Sequence, residues 1–342
     1  MSVVQNSEDA ALWARLTGKS GEFKRPQSSF KEWVSKKPGS KFPAENGRYH
    51  LYVSYACPWA HRILIARKLK GLEDVISFSS VHWHLDLQKG WRFPTPEDED
   101  TPGENVIPDP LHEGFTHLRQ LYLETDPAYE GRFTVPALYD KIRKVIVNNE
   151  SSEILRMLGT EFDDVIDEKY RDVSLYPETL REQIDEAHEW HYDKINNGVY
   201  KCGVATTQEA YTHNVLALFE ALDKVEAHLA SSKGPYWFGR EITEVDIRLY
   251  VTIIRFDTVY VQHFKCNIRD IRSGYPHIHK WVRNLYWNVP AFNATTSFIH
   301  IKNHYTKSHS MINPFSITPV GPLPDILPLD EEVPAVNAKM AL

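Results

Sequence analysis

The sequence predicts an α/β domain followed by an all-helical domain. Two runs of strand length flank a run with helical periodicity, all within about 35 residues between positions 49 and 82. From about position 178 onward the pattern changes to long segments with helical periodicity and no strand-like run. Domains of about 100–200 residues are typical, so a chain of 342 residues suits two of them.

The composition places the chain among globular proteins and argues against two classes of partner. Hydrophobic residues make up 42% of the chain and charged residues 25%, and the formal net charge is -7. Lysine and arginine are scattered, which gives no basic patch for nucleic acid or for an anionic membrane. The N-terminus carries acids where a signal peptide needs a basic start, and no run approaches the roughly 20 apolar residues of a membrane span. We therefore expect a cytoplasmic protein.

The cysteines fit a reducing compartment. There are three of them, Cys57, Cys202 and Cys266, an odd number and too widely spaced for a disulfide framework or a zinc site. Two histidine pairs, at positions 82/84 and 277/279, lack the further ligands that a metal site needs. The sequence therefore predicts no metal.

The first predicted domain covers residues 49–175. HLYVSY and DVISFSSVH have the composition of strands, and the helix between them makes a βαβ unit with a parallel pair. A helix, two short antiparallel strands and another helix follow. The order β-α-β-α-β-β-α is that of a thioredoxin-like fold with a mixed four-stranded sheet. Residues 86–113, rich in proline and acids, are predicted to form an inserted surface loop.

Three other segments complete the predicted organisation. Residues 1–48 lack periodicity and are predicted to form an extended arm. Residues 176–312 are predicted to form the all-helical domain, in which Thr243 caps a helix and Asp246 occupies its third position. Residues 313–342 are rich in proline and are predicted to form an extended tail.

Cys57 is the candidate nucleophile. It follows a predicted strand, and Pro58 suits the first turn of the next helix, so the sulfur is expected where the unpaired N–H groups and the positive end of the helix dipole converge. That position favours the thiolate and lowers a cysteine pKa from about 8.5 toward neutrality. In Cys57-Pro58-Trp59-Ala60 an alanine stands where a dithiol oxidoreductase has its resolving cysteine. The second thiol must therefore come from outside.

Two further motifs indicate what supplies that thiol. Val135-Pro136 precedes a strand at the point where thioredoxin-type folds carry a cis proline, which leaves the preceding backbone available for a peptide-like ligand. Glu150-Ser151 begins the following helix and offers a hydroxyl and free N–H groups to a carboxylate, and an acid to an ammonium group. A γ-glutamyl group has both of these ends, which indicates glutathione.

With these motifs the chain resembles the glutathione transferases, and more narrowly the glutathionyl-hydroquinone reductases of the omega-like Xi class. The resemblance covers about residues 45–325. It rests on YVSYACPWAHR, TVPALYD, NNESSEI, INNGVYKCGVATTQEAY, FGREITEVDIRLY, RFDTVYVQHFKCN and HIKNHYTKSHSMINPFSITPVGP. It implies a helical glutathione-transferase C-terminal domain and a homodimer.

The resemblance also implies a reaction. Cys57 would attack the sulfur of a glutathionyl-hydroquinone, release the hydroquinone and keep the glutathione as a mixed disulfide. A second glutathione would resolve that disulfide and leave as glutathione disulfide.

Four further residues are assigned by the resemblance. Trp91 and Arg92 would join Val135, Glu150 and Ser151 in holding glutathione, with Arg62 and Arg132 as alternatives to Arg92. Tyr192 and Tyr305 would line the pocket for the aromatic group and donate the proton that the leaving hydroquinone needs.

Three other functions are weighed against this one. An omega-like thioltransferase or dehydroascorbate reductase would use the same Cys57 on another acceptor. A non-catalytic interaction module would not need a cysteine at the start of a helix. A conjugating transferase would normally activate glutathione with Tyr or Ser.

Overall fold

The computed structural model describes residues 16–331, and the chain folds into two compact units. One unit, here called the sheet unit, contains Pro26–Tyr176 and Ala294–Ser308. The other, here called the helical unit, contains the described residues up to Arg25, Pro177–Asn293 and the tail that begins at His309. The outer parts of the predicted arm and tail, residues 1–15 and 332–342, lie outside the described residues.

The sheet unit has the predicted mixed four-stranded sheet. Its strands are β1 (Tyr49–Val53), β2 (Ser77–Ser80), β5 (Ala137–Asp140) and β6 (Val145–Asn148), in the order β2-β1-β5-β6. β1 pairs parallel with β2, and the other two pairings are antiparallel. Every residue of β1 is buried, as expected for a central strand covered on both faces.

Three helices follow the strands in the predicted order. They are α1 (Pro58–Leu69), α2 (Leu118–Thr125) and α3 (Ser151–Thr160). α1 packs against α3, and α2 packs against β6. A short 3₁₀ turn, Glu168–Tyr170, comes after α3. The packing of α1 on α3 matters for the site, because predicted site residues, Cys57 and Glu150, are the N-caps of these two helices.

The inserted loop begins with an element that the sequence does not indicate. β3 (Leu85–Asp86) and β4 (Gly90–Trp91) form a small antiparallel hairpin. Gly90 has φ of +81°, a conformation that glycine adopts without strain. Strands of two residues are too short to show an alternating pattern, so the prediction of a plain surface loop misses this hairpin.

The segment from Ala294 to Ser308 packs with the sheet unit, whereas the sequence places it in the helical domain. Its helix, α12 (Phe298–Ser308), buries His300, Ile301, His304 and Tyr305. Helical periodicity shows that one face is buried but not which unit covers that face.

The arm covers the free edge of the sheet. Asn149 N donates to Phe30 O at 3.0 Å. In return, Phe30 N donates to the Asn149 side-chain oxygen, Oδ1, at 3.0 Å. Glu32 N donates to Val147 O at 3.0 Å. An exposed strand edge is prone to pairing with other chains, and these bonds occupy the edge of β6.

The helical unit is built from helices and helical turns, as predicted. They are a 3₁₀ turn Glu178–Leu180, α4 (Arg181–Trp190), a π-helical turn His191–Asn196, α5 (Gly198–Gly203), α6 (Gln208–Ser231), α7 (Glu244–Ile253), a second π-helical turn Phe256–Tyr260, α8 (Val261–His263), α9 (Ile271–Gly274), α10 (Pro276–Asn288) and α11 (Pro290–Asn293). Across residues 16–331, no helix has both the length and the apolar character needed to cross a membrane.

The predicted cap of α7 is confirmed. Thr243 N donates to Asp246 Oδ2 at 3.0 Å in a capping box. The same carboxylate accepts from Trp237 N at 2.8 Å and from Trp281 Nε1 at 3.1 Å. Asp246 therefore ties the start of α7 to the preceding loop and to α10, in addition to capping its own helix.

Candidate active site

Cys57 lies immediately before α1, with Pro58 as the first helical residue. Its backbone is extended (φ -79°, ψ 120°), and its thiol donates to Val135 O at 3.6 Å. The residue is 8% exposed. The sulfur therefore sits at the positive end of the helix dipole, where a thiolate is favoured.

The partner of the Cys57 thiol lies at the entry to β5. Val135 is buried, and the Val135–Pro136 peptide bond is cis, as the sequence context indicates. The Val135-Pro136 motif and the candidate nucleophile Cys57 are therefore in contact, although 78 positions separate Cys57 from Val135.

Glu150 and Ser151 begin α3, as predicted. Glu150 is the N-cap, and its Oε1 accepts from Ser152 N at 3.1 Å and from Ser152 Oγ at 3.0 Å. Its Oε2 accepts from Ser28 Oγ at 2.9 Å. Burial acts to raise the pKa of Glu150, but the bonds from Ser152 and Ser28 hold it below its usual range. The carboxylate is therefore charged at neutral pH and available to an ammonium group.

Arg62 joins the helix of Cys57 to the Glu150–Ser151 pair. It lies on α1, is 2% exposed, and donates from Nη1 to Ser151 Oγ at 3.5 Å. Its guanidinium carbon lies 4.5 Å from the centre of the Trp59 ring, a cation–π contact. This places a fixed positive charge beside the hydroxyl that is expected to meet a carboxylate.

Arg92 pairs with Asp98 within the inserted loop. Its Nη1 and Nη2 each donate to the Asp98 carboxylate at 2.7 Å, and Nη1 also reaches Phe93 O at 3.3 Å. This guanidinium lowers the pKa of Asp98 well below its usual range. Arg92 thus braces the inserted loop, while the third candidate, Arg132, is exposed. Arg62 is hydrogen-bonded to Ser151 of the Glu150–Ser151 pair.

Trp91 and Tyr305 lie in one aromatic cluster of the sheet unit. Trp91 is buried in β4 and stacks on His304, with ring centres 4.9 Å apart and planes 25° from parallel. His304 Nδ1 donates to Trp83 O at 2.9 Å. Tyr305 is fully buried, and its ring centre is 5.1 Å from that of His304. α12 therefore brings Tyr305 to the part of the sheet unit that holds Trp91.

Tyr192 lies in the helical unit, on the π-helical turn His191–Asn196, and is 44% exposed. Cys202 and Cys266 are both buried in the same unit. The part that Tyr192 plays stays a prediction.

The sequence does not predict the place of two residues near the candidate site. Ser28 contacts Glu150 from 122 positions away, and no local pattern links them. His304 is one of sixteen histidines, and only the return of α12 to the sheet unit reveals its stacking on Trp91. Among residues 16–331, no group of three or more His, Cys, Asp or Glu side chains is arranged to hold a metal ion.

The sheet order, the cysteine at the start of α1 and the cis-proline before β5 define a protein of the thioredoxin-fold class. Comparisons with known proteins make the class narrower. The model of the glutathione S-transferase N-terminal domain matches residues 56–161, and that of the C-terminal domain matches residues 208–284.

Relatives of known name match almost the whole chain. An omega-like glutathione S-transferase 2 of Schizosaccharomyces pombe is 54% identical, over 91% of this chain and 96% of the relative. The glutathionyl-hydroquinone reductase YqjG of Escherichia coli is 46% identical, over 92% of this chain and 93% of the relative. The Xi glutathione transferase ECM4 of Saccharomyces cerevisiae, solved in complex with glutathione, is 47% identical with a TM-score of 0.84, over 91% of this chain and 100% of that one.

The chain belongs to the glutathione transferase family, in its omega-like Xi class. It is therefore an enzyme, and glutathione is its co-substrate.

Proposed function

We propose that this enzyme reduces S-glutathionyl-hydroquinones to hydroquinones, with Cys57 as the nucleophile. The observation that carries the proposal is the position of Cys57, a cysteine at the start of α1 whose sulfur lies 3.6 Å from Val135 O and which has Ala60 in place of a resolving cysteine. Such a thiol forms a mixed disulfide that an external thiol must resolve. The named activity of the Escherichia coli relative supplies the substrate class.

The first step breaks a carbon–sulfur bond. The Cys57 thiolate attacks the sulfur of the glutathionyl group, and a sulfur–sulfur bond forms as the bond to the aromatic carbon breaks. The carbon takes the electron pair and a proton, so the aromatic group is reduced and leaves as the hydroquinone. Cys57 is oxidised to the mixed disulfide with glutathione.

The second step returns the enzyme to its starting state. A glutathione thiolate attacks the sulfur of the glutathionyl group on Cys57, and glutathione disulfide leaves while the Cys57 thiolate is restored. The sum of the two steps consumes one glutathionyl-hydroquinone and one glutathione, and produces one hydroquinone and one glutathione disulfide.

In this proposal the two charged groups of the γ-glutamyl end hold glutathione in place. The Glu150 carboxylate takes the ammonium group, while Ser151, the N–H groups at the start of α3 and Arg62 take the γ-glutamyl carboxylate. Trp91 and the Val135–Pro136 backbone hold the rest of the peptide. Tyr305 and Tyr192 supply hydroxyl protons to the leaving hydroquinone, because a phenolic O–H is a hydrogen-bond donor and a proton source.

The resemblance also supports one proposal about the oligomeric state of the enzyme and one about its cellular compartment. We propose a homodimer, which size-exclusion chromatography with light scattering checks directly. We propose the cytoplasm as its compartment, because reduced glutathione and free thiols prevail there.

A turnover assay separates this function from the omega-like alternative. The purified enzyme is given glutathione with either a glutathionyl-hydroquinone or dehydroascorbate, while hydroquinone and glutathione disulfide are followed by chromatography. We expect turnover of the conjugate with one glutathione disulfide per hydroquinone. Turnover of dehydroascorbate alone would assign the chain to the omega-like thioltransferases instead.

The two arginines make a matched pair for testing the glutathione site. Arg62→Ala should raise KM for glutathione about tenfold, because it removes the charge beside Ser151, while Arg92→Ala should change it by less than about twofold. Initial rates over a range of glutathione concentrations measure both. A raised KM in Arg92→Ala together with an unchanged one in Arg62→Ala would return the role to Arg92.

A further inference from the structure

The Glu150 carboxylate receives hydrogen bonds on both oxygens, and the two sets differ in origin. The bonds to Oε1 come from Ser152, two positions along the chain, and belong to the start of α3. The bond to Oε2 comes from Ser28 at 2.9 Å, on the N-terminal arm. A helix cap would exist without the arm, so the contact from Ser28 calls for a separate explanation.

The arm holds Ser28 in a fixed position. Phe30, two residues further on, is hydrogen-bonded to Asn149 through both its N–H and its C=O. Its ring also stacks on Tyr129, with centres 5.4 Å apart, and meets the edge of Tyr122 at 5.6 Å. The Ser28 hydroxyl is therefore presented to Glu150 by a segment that is already paired with the sheet edge.

The number of hydrogen bonds that the Glu150 carboxylate can accept shows how the Ser28 contact affects ligand binding. A carboxylate offers about four lone-pair positions, two on each oxygen. Ser152 occupies two on Oε1 and Ser28 occupies one on Oε2, which leaves one position on Oε2 for a ligand. The three donors are hydroxyl or amide groups, so they orient the carboxylate without neutralising its charge. Arg62 on α1 is the charged group that acts on it.

We propose that Ser28 is a positioning residue for glutathione: it fixes the Glu150 carboxylate so that the open position on Oε2 points at the ammonium group of the γ-glutamyl end. This inference rests on the proposed function, which assigns that ammonium group to Glu150. It makes the N-terminal arm part of the glutathione site as well as a cover for the sheet edge. The hydrogen bond also favours the ionised carboxylate, because a donor lowers the pKa of the acid that it binds.

The test compares two neighbouring serines of the arm. Ser28→Ala removes the bond to Glu150, whereas Ser29→Ala removes a contact of Ser29 Oγ with Tyr129 Oη at 3.2 Å on the exposed side. Calorimetric titration gives Kd for glutathione, and initial rates give KM and kcat. Ser28→Ala should weaken glutathione binding about tenfold, as expected for a hydrogen bond to a charged group, with kcat at saturating glutathione unchanged. Ser29→Ala should match the wild type.

Two readouts separate positioning from a loss of structure. Ser28→Thr keeps the hydroxyl and should restore the wild-type Kd. In Ser28→Ala the pKa of Glu150 rises, because the carboxylate loses a hydrogen-bond donor. The ammonium group binds the ionised carboxylate, so the loss of glutathione affinity on acidification should begin at a higher pH than in the wild type. An equal loss of affinity in Ser28→Ala, Ser28→Thr and Ser29→Ala would overturn the proposal. It would mean that any change in the arm weakens binding, whether or not the hydroxyl of Ser28 is kept.

Glu150→Gln separates failure of this inference from failure of the proposed function. If Glu150→Gln binds glutathione like the wild type, Glu150 does not hold the ammonium group, and the proposed glutathione site is wrong together with the role of Ser28. If Glu150→Gln loses affinity while Ser28→Ala keeps it, only the role of Ser28 is wrong. Loss in both variants, with recovery in Ser28→Thr, supports both.

Discussion

Cys57→Ser is expected to lower the rate of hydroquinone release at least about a thousandfold, because a serine hydroxyl is not ionised at neutral pH and cannot form the mixed disulfide. The side chain changes by one atom, so the start of α1 and the contact with Val135 are preserved in shape. The rate of hydroquinone formation at saturating glutathione measures the effect. Circular dichroism should show the same helix content as in the wild type.

Cys202 provides the matched control for that substitution. It is buried in α5 of the helical unit and has no place in the proposed chemistry. Cys202→Ala should keep wild-type turnover within about threefold, since a small substitution outside the site acts mainly on stability. Full activity in Cys57→Ser, or loss of activity only in Cys202→Ala, would show that the nucleophile has been misassigned.

Asp246→Ala should give the largest loss of stability, about 3–5 kcal/mol in the free energy of unfolding of the helical unit. The carboxylate accepts from Trp237 N, Thr243 N and Trp281 Nε1, and its removal leaves those buried donors without their acceptor. Urea unfolding followed by circular dichroism and tryptophan fluorescence measures the change.

An exposed acid of the loop before α7 is the control for Asp246. Glu241 lies five positions earlier and is exposed, so Glu241→Ala should change the free energy of unfolding by less than about 0.5 kcal/mol. Thr243→Ala, which removes one capping side chain, should cost about 0.5–2 kcal/mol. Equal stability of Asp246→Ala and Glu241→Ala would mean that the buried carboxylate does not organise this region.

Most of the sheet unit was predictable because its information is local. β1, α1 and β2 each carry their own periodicity, and a βαβ unit fixes the parallel pairing. The β3–β4 hairpin was missed because two-residue strands have no period. The placement of α12 was missed because the identity of the unit that covers a buried helix face depends on the whole fold.

The site divides in the same way. The positions of Cys57, Val135 and Glu150 were predictable because each lies at the end of an element, and ends that face one edge of a sheet come together. The pairing of Arg92 with Asp98 inside the loop was not predictable, since it depends on how the loop folds. Ser28 reaches Glu150 only because the arm returns to β6, which no local pattern records.

The most direct test of the central claim is a single turnover without free glutathione. Wild-type enzyme is mixed with one equivalent of glutathionyl-hydroquinone, quenched with acid, and analysed for free hydroquinone and by peptide mass mapping. The mechanism predicts one hydroquinone released per active site and one glutathionyl group on the peptide that contains Cys57. Hydroquinone released without that adduct, or no release until glutathione is added, would contradict direct attack by Cys57.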